Sequence, residues 1–119
     1  MPKAAPKIQY RLRVLLGDEI AVGPGKVDLL EAIGATGSIT AAAKSLGMSY
    51  RRAWLLVDTM NRCFADPVVT AEAGGTAGGG TRLTPVGAEV VRRYRRMEAG
   101  AAKAGAHDLA ALSRLLRPK

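Results

Sequence analysis

The residues whose types and spacing stand out for chemistry in this chain are arginines. Tyr50-Arg51-Arg52 follows Ser49, and Arg82 stands at the base of a glycine-rich run. An Arg fork can bond guanine O6 and N7 or a phosphate, and a serine hydroxyl can meet either. Catalysis lacks its parts. With one histidine, His107, one cysteine, Cys63, and scattered carboxylates, no acid, base and nucleophile set assembles. The lone cysteine also excludes an internal disulfide framework and a Cys-based zinc site. Cys63 beside Phe64 reads as buried packing, and His107 beside Asp108 as a helix-cap region. Cys63 with Met48, Met60 and Met97 does not have the spacing of a soft-metal ligand set. Gly75 and Gly80-Thr81 have the outer spacing of a phosphate-cradling loop, but Thr81 stands where that loop requires lysine. No metal, no cofactor and no enzymatic activity are expected.

The charge balance points the same way. Eighteen Lys/Arg against ten Asp/Glu give +8 over 119 residues. Residues 1–49 hold six basic and four acidic groups, whereas residues 50–119 hold twelve and six. Such a chain favours a polyanion partner, nucleic acid before membrane. No stretch reaches the roughly 18 apolar residues of a membrane span. The basic start lacks a clean apolar run ending in a cleavage site, so secretion is not expected. Of all residues 48% are apolar but only 4% aromatic, so Leu, Ile, Val and Ala must fill the core.

The elements that position these residues follow from periodicity. Residues 1–7 read as a disordered arm. Ile8, Tyr10, Leu12 and Val14 alternate with polar residues, the signature of a half-buried strand. Gly17-Asp18 allows a turn, and Ile20-Ala21-Val22 runs back as its partner. Val27, Leu30 and Ile33 mark a short helix ending near Gly34. Ser38 caps a second helix whose apolar face is Ile39, Ala42, Ala43 and Leu46, stopped by Gly47. Ser49 caps a third, to about Phe64, with Ala53, Val57, Met60 and Phe64 inward and Trp54 as core or core-edge packing. Val68–Thr70 and Arg82–Thr84 read as strands of a long hairpin around the glycine run. Thr84-Pro85 starts a helix over residues 85–98 with Val86, Val90, Tyr94 and Met97 on one face. Its Arg92-Arg93 and Arg95-Arg96 pairs read as a solvated face, with a second DNA-facing patch as the alternative. Residues 99–106 read as an Ala/Gly linker, followed by a short amphipathic helix carrying Leu109, Leu112 and Leu116.

Helices followed by a hairpin, with two of them joined by a short glycine turn, describe a winged helix-turn-helix. The fold class expected is α+β, mainly helical, with an N-terminal β-hairpin and a C-terminal dimerisation helix. In such a unit the second helix of the motif lies in the major groove with its first residues at base edges. Ser49, Tyr50, Arg51 and Arg52 occupy that place. Ser38 and Thr40 begin the bracing helix, where hydroxyls and backbone N–H groups can meet phosphate, although capping alone also explains Ser38. Thr76 and Arg82 belong to the wing, Arg82 as its cationic phosphate contact.

The run GSITAAAKSLGMSYRRAWLLVDTMN, followed by GGTAGGGTRLTPVG, resembles the N-terminal DNA-binding domain of molybdate-responsive ModE-type regulators, itself similar to the winged helix of LysR-type regulators. The resemblance covers about residues 8–98. It implies a homodimeric, cytoplasmic bacterial transcription factor on double-stranded DNA, with the helix of Val86, Val90, Tyr94 and Met97 as the two-fold interface. Full-length members carry C-terminal oxyanion-binding modules, for which residues 99–119 have no room, so a stand-alone form is the expectation. Two other readings remain open: a partner that heterodimerises with a full-length ModE-type regulator, and a molybdate or other oxyanion sensor.

Overall fold

The computed structural model describes residues 5–72 and 80–118. Two short strands, β1 (Val14–Leu16) and β2 (Glu19–Val22), form an antiparallel pair across Gly17, whose φ of 60° suits the turn. Then come α1 (Pro24–Thr36), α2 (Ile39–Ser45) and α3 (Tyr50–Cys63). A second antiparallel pair, β3 (Val69–Glu72) and β4 (Gly80–Leu83), leads into the long α4 (Pro85–Ser113). The class is thus α+β, with four helices and two small sheets among the described residues. No helix among them is long and apolar enough to cross a membrane.

The caps form as their residue types dictate. Ser38, Ser49 and Thr84 each accept, through the side-chain oxygen, the backbone N–H three residues on, at 3.0–3.1 Å. Pro24 starts α1 in its first turn, and Gly37 ends it in the left-handed region with its N–H on the Ile33 carbonyl. The helix thus begins before Lys26 and ends beyond Gly34. Its apolar face (Leu29, Leu30, Ile33) packs with Ala42 and Ala43 of α2, with Ala53, Val57 and Met60 of α3, and with Val68 and Val69. Small residues on α2 let three helices approach one another closely. Leu46, expected on that face, lies at the helix end and is largely exposed.

Three expectations are corrected. The strand expected from Ile8 reduces to Val14–Leu16, because Tyr10 and Leu12 are tied to α4 instead of to a sheet partner: the Tyr10 hydroxyl donates to the Ala101 carbonyl and the Tyr94 hydroxyl to the Leu12 carbonyl, both at 2.8 Å. The linker at residues 99–106 is helix, so α4 runs unbroken through His107 to Ser113, and His107 is an exposed mid-helix residue, not a cap. The segment 5–13 alongside supplies the contact that the Ala/Gly composition cannot. Leu109 and Leu112 therefore belong to α4, and Leu116 lies beyond its end. Finally, Tyr94 is fully buried with Val22 and Val27 within the protomer, so it serves the core and not an external face. Val86 and Val90 are half-buried and Met97 is exposed.

One buried charge braces the N-terminal hairpin. The Lys26 amine donates to the Ile20 carbonyl, and burial pushes its pKa down.

Candidate nucleic-acid interface

α2 and α3 are joined through Gly47, whose φ of 68° lets the chain reverse between them. The reversal leaves the first turn of α3 projecting: Ser49, Tyr50, Arg51 and Arg52 are all exposed. The inward stripe begins only at Ala53. Thr40 is exposed on the first turn of α2, while Ser38 is half-buried and engaged as its cap.

The β3–β4 hairpin is fixed beside α3 by two ties. Asn61 of α3 works as a backbone clamp: its Oδ1 accepts the Val68 N–H at 2.8 Å, and its Nδ2 donates to the Val69 carbonyl at 3.0 Å. On the other edge the Thr81 N–H donates to the Gly37 carbonyl at 2.9 Å, anchoring β4 to the corner between α1 and α2. Arg82, paired across the ladder with Thr70, is exposed. Thr76 lies outside the described residues. Between α3 and the hairpin runs a half-polar cleft of about 390 Å³, bordered by Tyr50, Trp54, Asp58, Asn61, Thr70 and Thr81. Trp54, expected as core or core-edge packing, stands at its rim half-exposed, because Ala53 and Val57 already fill the helix's inner face.

Ion pairing divides the arginines into two sets. Arg62 is bound to Glu19 and Asp58, Arg92 and Arg93 to Glu89, and Arg95 to Asp28, Glu31 and Glu98. The hydrogen bonds from Arg95 hold the Glu31 carboxyl below its usual pKa and the guanidinium above its own. The Arg95 pairs bind α4 to α1, and Arg92 and Arg93 share Glu89 on α4 itself, while Arg96 has no carboxylate partner among the described residues. Arg11, Arg13, Arg51, Arg52, Arg82, Arg96, Arg114 and Arg117 have no carboxylate partner among the described residues, nor has Lys44, on the exposed side of α2; of these, Arg51 and Arg52 share the first turn of α3. Sequence reasoning passed over Lys44 and Leu55. Leu55 lies four residues after Arg51, so it shares the outward face, a signal that was available.

The arrangement is a cationic helix end and a hairpin flanking a cleft. The chain is 54% identical over 82 residues to the molybdenum-pterin-binding protein MopB of Rhodobacter capsulatus, a match covering 69% of this chain and 30% of that protein. It is 46% identical over 78 residues to the molybdenum transport protein ModE of Azotobacter vinelandii, covering 66% and 29%. With the DNA-binding transcriptional dual regulator ModE of Escherichia coli K12 it shares 34% identity over 83 residues, covering 70% and 32%. The ModE and Mop proteins are its homologues. The chain spans about a third of the length of these curated relatives. No family model matches it. The relatives' names describe transcriptional regulators, molybdenum-pterin-binding proteins and molybdenum transport proteins, not enzymes.

Proposed function

We propose that this chain is a ModE-type winged helix-turn-helix that binds double-stranded DNA sequence-specifically, as a homodimer, to regulate transcription. The observation that carries the reading is the leading turn of α3, where Arg51 and Arg52 project without counter-charges among the described residues. The positive end of a helix dipole disfavours cations by roughly 0.3–1 kcal/mol, a cost that an arriving phosphate offsets. In this reading α3 enters the major groove, α2 braces across the backbone, and the β3–β4 hairpin with Arg82 is the wing. Ser38 and Thr40 offer phosphate contacts from the start of α2. The relatives' names support placing the controlled genes in molybdenum handling.

The second copy has a natural seat. An apolar groove of about 450 Å³ opens between the N-terminal hairpin and the first half of α4, walled by Val14, Val22, Phe64, Val86, Val90 and Met97. Leu15 and Leu16 are exposed on the neighbouring strand β1. A two-fold pair using this face explains the stripe of Val86, Val90 and Met97, with Tyr94 supporting it from below. Such a dimer calls for a pseudo-palindromic operator with half-sites about one helical turn apart, or a multiple of it.

The test is selection of duplexes from a random pool by the purified chain. A recurring palindromic motif, lost with the Arg51→Ala/Arg52→Ala double variant, supports the reading. Selection that yields no motif, or a double variant that enriches the same one, overturns it.

A further inference from the structure

On the face of α3 that the arginines share lies an apolar surface for which the fold has no use. Tyr50 is 54% exposed, Trp54 48% and Leu55 46%, although the chain has few aromatic residues to place. At about 100° per residue, Trp54 and Leu55 fall on either side of the line through Arg51, both away from the Ala53–Val57–Met60 stripe. Trp54 is also one turn beyond Tyr50, at a rise of about 6 Å, or nearly two base-pair steps. It stands at the rim of the cleft facing Thr70 and Thr81 of the hairpin. Isolated exposed apolar side chains need no explanation, but three within six residues beside unpaired cations do.

We propose that Trp54 and Leu55 read thymine: they contact the C5-methyl groups of one or two thymines in each half-site, while Arg51 holds the neighbouring polar edge. The inference rests on the DNA-binding reading above and deepens it. The thymine methyl is the one apolar group that unmodified bases present in the major groove. An indole edge and a leucine beside it supply an apolar surface with no acceptor, which suits a methyl group. Asp58, one turn further along the cleft, is paired with Arg62, so its charge is already offset.

Trp54 is the only tryptophan, so tryptophan emission from the full chain, excited selectively over the tyrosines, reports this position alone. The experiment titrates the chain with its selected duplex and follows emission, acrylamide quenching and gel mobility. Each conserved thymine is then replaced in turn by deoxyuridine, which removes only the methyl. Duplex binding should shield Trp54 from acrylamide. At one or two positions the uridine swap should weaken the wild type about fourfold per methyl buried. Trp54→Ala/Leu55→Ala should be insensitive to those swaps, and Trp54→Phe should retain part of the sensitivity. If the duplex shifts the protein's mobility while Trp54 stays as open to acrylamide as before, the inference falls and the DNA-binding reading stands. Equal losses in wild type and double variant at every swapped thymine have the same meaning. A single strand of the same sequence that protects Trp54 as well as the duplex also overturns it, in favour of stacking on unpaired bases. No binding to any duplex removes both readings together.

Discussion

Arg51 and Arg82 are both exposed cations, yet the proposed function gives them different work. In that reading Arg51, on a helix end, meets a base edge with its fork, and Arg82, on a strand of the hairpin, meets the phosphate backbone. Arg51→Ala should therefore cost about 1–3 kcal/mol of specific binding and relax the preference at one base pair. Arg82→Ala should weaken all duplexes alike and reduce the slope of log affinity against log salt by about one. Competition assays over a salt series separate the two outcomes. Asn61 shows how a polar residue near the interface serves the fold instead. Its side chain satisfies the Val68 amide and the Val69 carbonyl, both on buried residues. Asn61→Ala should cost about 1–3 kcal/mol in urea unfolding, because those groups lose their partner. Nothing in the local sequence marked Asn61 as a clamp, since its partners lie seven and eight residues on, in a different element.

Among the elements, α4 is the one whose extent depended on its neighbours. Its residues 99–106 combine alanine, an excellent helix former, with glycine, which costs about 1 kcal/mol per residue in a helix. The local preference is nearly balanced, and the packed segment 5–13 tips it toward helix. Two glycines there separate local from tertiary effects. A methyl at Gly100 meets nothing, so Gly100→Ala should stabilise the chain by about 0.5–1 kcal/mol. At Gly105 the same methyl collides with the Tyr10 hydroxyl, which donates to Ala101. Gly105→Ala should gain helix propensity but loosen the N-terminal segment, giving little or no net rise in Tm. Thermal melts of the two variants, with amide exchange at residues 8–12, check both expectations. α2 and α3 were legible beforehand because each carried its own serine cap within the run.

At the scale of the whole molecule, the +8 charge and the apolar groove serve different parts of the proposed function. Charge draws the chain to a polyanion, and a paired copy converts two weak half-site contacts into one strong one. Leu16 and Met97 are exposed at or beside the groove and absent from the buried core. Leu16→Asp/Met97→Glu should therefore leave the fold intact and yield monomers in sedimentation. Operator affinity should fall by about 10²-fold or more, through lost effective concentration of the second half-site. A doubly charged variant that still sediments as a dimer would move the two-fold contact elsewhere.

The sequence alone determined the three side-chain caps, the stop at Gly47, the inward faces of α1 and α3, and the exposed arginine turn. Each of these follows from bonds and spacings within one helical turn or two. Tertiary structure decided what lay across from each face. It sent Trp54 outward because smaller residues had already filled the inner stripe, and it drew Tyr94 inward because Leu12 offered its hydroxyl a carbonyl. It turned an expected strand into a strap along α4 and an expected linker into helix. Periodicity states that a side chain has a face to bury; only the packed molecule supplies the neighbour that buries it.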